Sequence, residues 1–179
     1  MSFARSRSSL LAARDRREKI LGRHLWDNAS AALCSFGSLS SPATLFVSLN
    51  LPGLRKNRPG TAALFRWALG KLTRAFPSLT TLRVGRDALG PYAVLRTNRS
   101  AAAVKRICVR IETAQPHARL IDIDVFNGAG RQVDRASLGL RARHCLVCDR
   151  PATECMRLRR HEPEKIDGIT NELLASCRN

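Results

Sequence analysis

Between residues 44 and 126 the apolar residues of this chain change period from two to about 3.6 and back, twice, and few folds accommodate that order. Leu45, Val47, Leu49 and Leu51 alternate, which predicts a strand over residues 44–51 that stops at Pro52-Gly53. Leu64, Phe65, Ala68, Leu69, Leu72 and Phe76 share one helical face over residues 59–76, with Pro59 suited to a first turn. Residues 79–84 and 92–97 predict two short strands, joined by the turn-rich stretch from Gly85 to Pro91. Ser100 can cap a helix carrying Val104, Ile107, Cys108 and Ile111, which ends before Pro116. A last strand spans residues 119–126. The order strand, helix, strand, strand, helix, strand predicts an α+β fold with a ferredoxin-like βαββαβ core over about residues 42–127, helices on one face of an antiparallel sheet. A nucleotidyltransferase-type α+β fold is the competing architecture, because it also places paired acids on a strand.

Around that core, residues 9–26 carry Leu10, Ala13, Ile20, Leu21 and Leu25 as an imperfect helical stripe, and residues 27–42 read as a connection. Residues 127–130 predict a turn and 131–140 a loop or short strand. The tail over residues 163–177 has Ile166, Ile169, Thr170, Leu173, Leu174 and Cys177 at helical spacing. With 44% hydrophobic residues, 179 residues suffice for one domain with a modest appendage. No apolar run approaches the ~20 residues of a membrane helix. The first thirty residues lack a long apolar signal region, so a cytoplasmic protein with a short flexible start is expected.

Two charges interrupt the last strand. In Leu120-Ile121-Asp122-Ile123-Asp124-Val125-Phe126, a period of two puts both carboxylates on one face, a plausible ligand pair for Mg2+. The alternative is a partly exposed edge strand whose acids pair with Arg119 or Arg135. If the first and last strands are neighbours, the turn Pro52-Gly53-Leu54-Arg55-Lys56 can face these acids and cradle a phosphate with its amides and a cation. Taken alone, it is equally a solvated basic turn. The net charge of +17, from 31 basic and 14 acidic residues, favours polyanionic partners without choosing among them, and an Arg-rich solvated surface also explains it. With 5% aromatic residues, stacking platforms for single-stranded nucleic acid are sparse.

Of six cysteines, three fall within the pattern Cys145-x2-Cys148-x6-Cys155-x5-His161. Thiolates at C-x2-C spacing make one side of a tetrahedral Zn2+ site, which Cys155 and His161 can complete, with His144 a less favoured substitute. A redox pair and packed reduced thiols are the alternatives. Cys34, Cys108 and Cys177 read as core or surface thiols.

Several segments together resemble the apo-citrate lyase phosphoribosyl-dephospho-CoA transferase family, the holo-citrate lyase acyl carrier protein synthases. They are Arg14-Asp15-x-Arg17, Asn50-Leu51-Pro52-Gly53-x-x-Lys56, Val104-Lys105-Arg106 with Ile111-Glu112, Arg119-Leu120-x-Asp122-Ile123-Asp124-Val125, and Arg143-x-Cys145-Leu146-x-Cys148 continued by Cys155-x-Arg157-x3-His161. Ala118 stands where a Gly is expected, Gln115-Pro116 where His-Pro is, and Leu89 where the family's Gly-Pro turn usually follows a Thr. The resemblance implies a single transferase domain over residues 1–179, with a zinc-type subregion over about 141–179. It implies transfer of a 2'-(5-triphosphoribosyl)-3'-dephospho-CoA group to a serine of the apo acyl carrier subunit of citrate lyase, with release of diphosphate. Asp122 and Asp124 would hold catalytic Mg2+, with Asp122 also able to take the serine proton. Pro52, Gly53, Arg55, Lys56, Arg119 and Arg135 would bind the donor, and Cys145, Cys148, Cys155 and His161 structural zinc. Neither membrane nor nucleic acid is an expected partner. The rival readings are a nucleic-acid-binding zinc-knuckle protein, an inactive scaffold, and transfer to the carrier of malonate decarboxylase.

Overall fold

A computed structural model describes residues 2–34 and 42–177. It is a mixed α+β structure in which one antiparallel sheet is built from β1 (Ala43–Leu49), β2 (Thr80–Asp87), β3 (Gly90–Thr97), β4 (Ile121–Phe126) and the short β5 (Gln132–Val133). Their order across the sheet is β2-β3-β1-β4-β5. The helices are α1 (Ser2–Cys34), α2 (Thr61–Ala75), α3 (Ala101–Thr113), α4 (Ala152–Arg157) and α5 (Pro163–Ser176). From β1 to β4 the elements follow the order that the periodicity predicts.

The sheet is covered on both faces. Leu45, Val47, Leu49, Ile121, Ile123 and Val125 point to one side, where Leu64 and Leu72 of α2 and Val104 and Ile111 of α3 close over them. Each such side chain, removed from water, contributes about 1.5–3 kcal/mol. Phe46, Tyr92 and Val94 point the other way and pack with Ile20 and Leu21 of α1. The expectation of helices on one face is therefore incomplete: β1 is buried at Thr44 and Phe46 as well as at its alternating leucines. A period-two reading sees only one of its two faces.

Several boundaries differ from those expected, among them the end of β1 at Leu49 and the start of β4 at Ile121, after a 3-10 helix over Pro116–Leu120. The first helix extends from Ser2 to Cys34, so there is no early break at residue 27 and the backbone is helical from its second residue. Of the predicted connection, residues 35–41 lie outside the described residues, as does the side chain of Cys34. The hairpin is also tighter: β2 runs through Asp87 and β3 begins at Gly90. Gly85, which reads as a turn glycine, is a strand residue facing Tyr92, where an added Cβ would lie 2.6 Å from the ring. Its missing side chain makes room for the tyrosine.

Candidate functional site

β4 pairs with β1 so that Asp122 lies opposite Ser48 and Asp124 opposite Phe46. Ile121, Ile123 and Val125 are buried in the core, and both carboxylates emerge on the other face, as the alternation predicts. Asp122 Oδ1 accepts a hydrogen bond of 3.0 Å from Arg143, and Asp124 Oδ1 one of 2.7 Å from Gln132. Burial, reinforced by the neighbouring Asp122 carboxylate, pushes Asp124 up to about 6 against the pull of Lys105. Neither Arg119 nor Arg135 is the acids' partner: Arg119 donates to the Cys145 carbonyl, and Arg135 pairs with Glu112.

The acid-bearing strand is gripped from the side by α3. β5 pairs only with Val125 and Phe126, which leaves the edge of β4 at Ile123 without a strand neighbour. Lys105 Nζ donates to Ile123 O at 2.6 Å, and Glu112 Oε1 accepts the Ile123 N–H at 2.9 Å. The two side chains, seven residues apart on one helical face, replace a missing strand at the residue between the acids. Glu112 also pairs with Arg135 and, at 3.2 Å, with Arg143. Arg143 donates further to Ile121 O at 2.8 Å. Glu112, Arg119, Arg135, Arg143 and His144 line a cleft of about 450 Å³ beside this network.

The Pro52-Gly53 turn leaves the same end of the sheet, since Asn50 N donates to Leu120 O, just before β4, at 2.8 Å. Arg55, Lys56 and Arg58, with Asp167 and Asn171 of α5, line a second cleft of about 720 Å³. Asp122 and Asp124 line neither of these two clefts, so the turn and the acids, though close along the chain's pairing, are not brought into one pocket. Lys56 Nζ donates to Leu51 O, and burial together with the Arg58 charge holds its pKa below the usual lysine value.

In the C-terminal region, the ligand atoms of Cys145, Cys148, Cys155 and His161 all lie within 4.8 Å of one another. Cys148 Sγ is 3.6 Å from Cys155 Sγ and 3.4 Å from His161 Nε2. Zn–S bonds of ~2.3 Å and Zn–N bonds of ~2.0 Å at tetrahedral angles give ligand edges of about 3.5–3.8 Å, so the donor set fits a metal such as zinc. Burial raises the Cys145 thiol, but the Val147 and Cys148 N–H groups together with the Cys155 and Cys148 thiols that hydrogen-bond its sulfur outweigh that and leave its pKa lowered. His144 stands outside the group and pairs its backbone with Pro151. Cys108 is a wholly buried core thiol pushed up to about 12 by burial and Glu112, and Cys177 packs against the core.

The sequence matches the family described as apo-citrate lyase phosphoribosyl-dephospho-CoA transferase over residues 5–177. The chain belongs to this family. Among its relatives is a probable apo-citrate lyase phosphoribosyl-dephospho-CoA transferase of Streptococcus pyogenes serotype M18, 30% identical over 141 residues, which are 75% of this chain and 73% of the relative. Protein CitXG of Haemophilus influenzae is 32% identical over 144 residues, 75% of this chain and 29% of that protein. Protein CitXG of Leuconostoc mesenteroides subsp. cremoris is 30% identical over 132 residues, 72% of this chain and 28% of that protein. The chain thus spans less than a third of the two CitXG proteins.

In this apo-citrate lyase phosphoribosyl-dephospho-CoA transferase family member, the groups that organise the acids are ones that spacing does not nominate. Lys105, Glu112 and Arg143 appear in the family-like segments without a stated role; Arg58, which holds the basic turn and not the acids, appears in none. The available signal was a Lys and a Glu on the apolar face of a predicted helix, which buries charge only with a partner. Away from the acids, Arg17 of α1 donates to both Asp87 oxygens at 2.8 and 2.6 Å and to Gly90 O at 2.7 Å, with its guanidinium 4.7 Å from the Tyr92 ring centre. It locks the first helix to the hairpin beside the basic turn.

Proposed function

We propose that this chain transfers the 2'-(5-triphosphoribosyl)-3'-dephospho-CoA group to a serine of the apo acyl carrier subunit of citrate lyase, in the cytoplasm and as a single transferase unit. The family match over residues 5–177 carries this reading. The antiparallel strand order β2-β3-β1-β4 supports a ferredoxin-like core in preference to a nucleotidyltransferase-type one.

The serine oxygen attacks the phosphorus nearest the ribose, forming an O–P bond. The bond from that phosphorus to the next bridging oxygen breaks, and diphosphate leaves with the electron pair. Asp122 and Asp124 would hold Mg2+, which when bound neutralises phosphate oxygens. Arg143 fixes Asp122 at 3.0 Å. One carboxylate of this pair takes the serine proton as the O–P bond forms. Arg55, Lys56, Arg119 and Arg135 supply positive charge toward the donor. Incubating the protein with donor, Mg2+ and purified apo carrier should add the prosthetic group's mass to the carrier, and a carrier whose serine is changed to alanine should show no shift. Retention of nucleic acid with no mass shift would replace this reading by the zinc-knuckle one.

The Cys/His group is assigned structural zinc in the same reading. Protein purified without chelator should contain about one zinc per chain, and Cys148→Ser should lose it. A well-folded, metal-free protein would overturn the assignment.

A further inference from the structure

Arg58 sits inside the basic turn and is 8% exposed. Its Nε donates to Arg55 O at 2.7 Å and its Nη2 to Pro52 O at 3.0 Å, while α5 anchors it through Asp167 at 2.8 Å and Asn171 at 3.2 Å. The guanidinium therefore has little left for a ligand. Its effect is on the backbone. In a planar trans peptide the C=O and N–H point in opposite directions, and no peptide bond here is cis. Turning the Pro52 and Arg55 carbonyls onto Arg58 aims the Gly53 and Lys56 N–H groups away from it. Neither N–H donates to a protein group among the described residues. Gly53 completes the shape with a left-handed φ of 68°, and Gly53 lies at the exposed surface.

We infer that the buried Arg58 templates residues 52–56 as an anion cradle of outward peptide N–H groups, which takes the terminal phosphates of a polyphosphate ligand, and that α5 holds the template in place. Within the proposed transferase reaction, on which the choice of ligand rests, these are the phosphates that leave as diphosphate. Arg58 is then a positioning residue: it acts through the turn's dipoles and not by contact.

Inorganic triphosphate is the probe, added to the full chain and followed by amide NMR. The Gly53 and Lys56 resonances should shift and saturate together. Arg58→Lys keeps the charge but loses the fork that holds two carbonyls, and it should weaken triphosphate binding about tenfold and raise the donor KM more than it lowers kcat. Asp167→Asn, which leaves Arg58 intact and only loosens its anchor, should weaken binding less. Dephospho-CoA, whose diphosphate is esterified at both ends, should compete poorly. Saturating shifts confined to the cleft of Arg119 and Arg135, unchanged affinity in a folded Arg58→Lys, or equal competition by dephospho-CoA would each overturn the inference. Carrier modification without these amide shifts would sink the cradle alone. Amide shifts without carrier modification would sink the transfer reading and leave the cradle standing.

Discussion

Replacing Glu112 with alanine should destabilise the protein by about 3 kcal/mol, because at once it strips Arg135 of its counter-charge, leaves Arg143 with Asp122 alone and takes the acceptor from a buried amide. Glu112 is 2% exposed, and both of its oxygens are used: Oε1 by Ile123 N and Arg143, Oε2 by Arg135. The alternative, that the network is neutral because desolvating three charges offsets their attraction, concerns replacement of the whole network by apolar groups; removal of Glu112 alone leaves Arg135 partly buried and unpaired. Urea unfolding at neutral pH measures the effect. Arg106→Ala, on the exposed side of the same helix, should stay within about 0.5 kcal/mol of the parent. A Glu112→Ala protein within about 1 kcal/mol of the parent would show that the hub does not hold the acid strand.

How far the fold could be read in advance follows from what periodicity encodes. The alternations of β1 and β4 and the 3.6-residue stripes of α2 and α3 report directly which side chains leave water, and those elements are where the pattern puts them. The Cys/His group was equally legible, since metal chemistry fixes spacing over a short stretch of chain. Periodicity fails where burial is two-sided or where a charge is buried. Phe46 and Thr44 hide the second face of β1, so the layer made by α1 left no trace in the alternation. Lys105 and Glu112 look like breaks in an apolar stripe, and only the unpaired edge at Ile123, a consequence of the short β5, gives them a purpose. Asp122 and Asp124 were placed correctly on one face, but the sequence offered Arg119 and Arg135 as partners where the fold supplies Arg143 and Gln132. Tertiary pairing among many arginines is not a local property.

Arg143 also joins the two regions that the sequence presents separately. It lies two residues before Cys145, its carbonyl accepts the Ala152 N–H at 2.8 Å, and its side chain reaches Asp122 and Glu112. Arg119 returns the link by donating to Cys145 O. A folded Cys/His knuckle thus fixes the origin of the side chain that orients the first acid, and a metal held there would act on the proposed reaction only through that side chain, without touching substrate.

Asp124→Asn should lower transfer to the carrier by about 10²–10³-fold and, at pH 8, make the protein more stable. The ordinary aspartate value is ~3.9 in the unfolded chain, and burial with the neighbouring Asp122 pushes Asp124 up to about 6 in the folded one. A folded state that holds its proton more tightly than the unfolded state loses stability as pH rises between those values, and above about 6 the full cost of the buried charge is present. Asparagine cannot ionise, so the variant escapes that cost, and its amide oxygen can still accept from Gln132. The stability difference between parent and variant should therefore be largest at pH 8 and vanish near pH 4, read from denaturation at each pH without added Mg2+. Transfer by the parent should rise with pH, with a midpoint near 6 at low Mg2+ that moves to lower pH as Mg2+ is raised, because only the ionised pair can hold a cation or take a proton. Mg2+ should narrow the stability gap in the parent's favour, since a cation between two carboxylates relieves the repulsion that raises Asp124. A strand that keeps an unfavourable charge in place against its own stability is what a functional site requires and a structural edge strand does not. An Asp124→Asn protein that transfers normally, or that is no more stable than the parent at pH 8, would return the acid pair to an ordinary partly exposed strand.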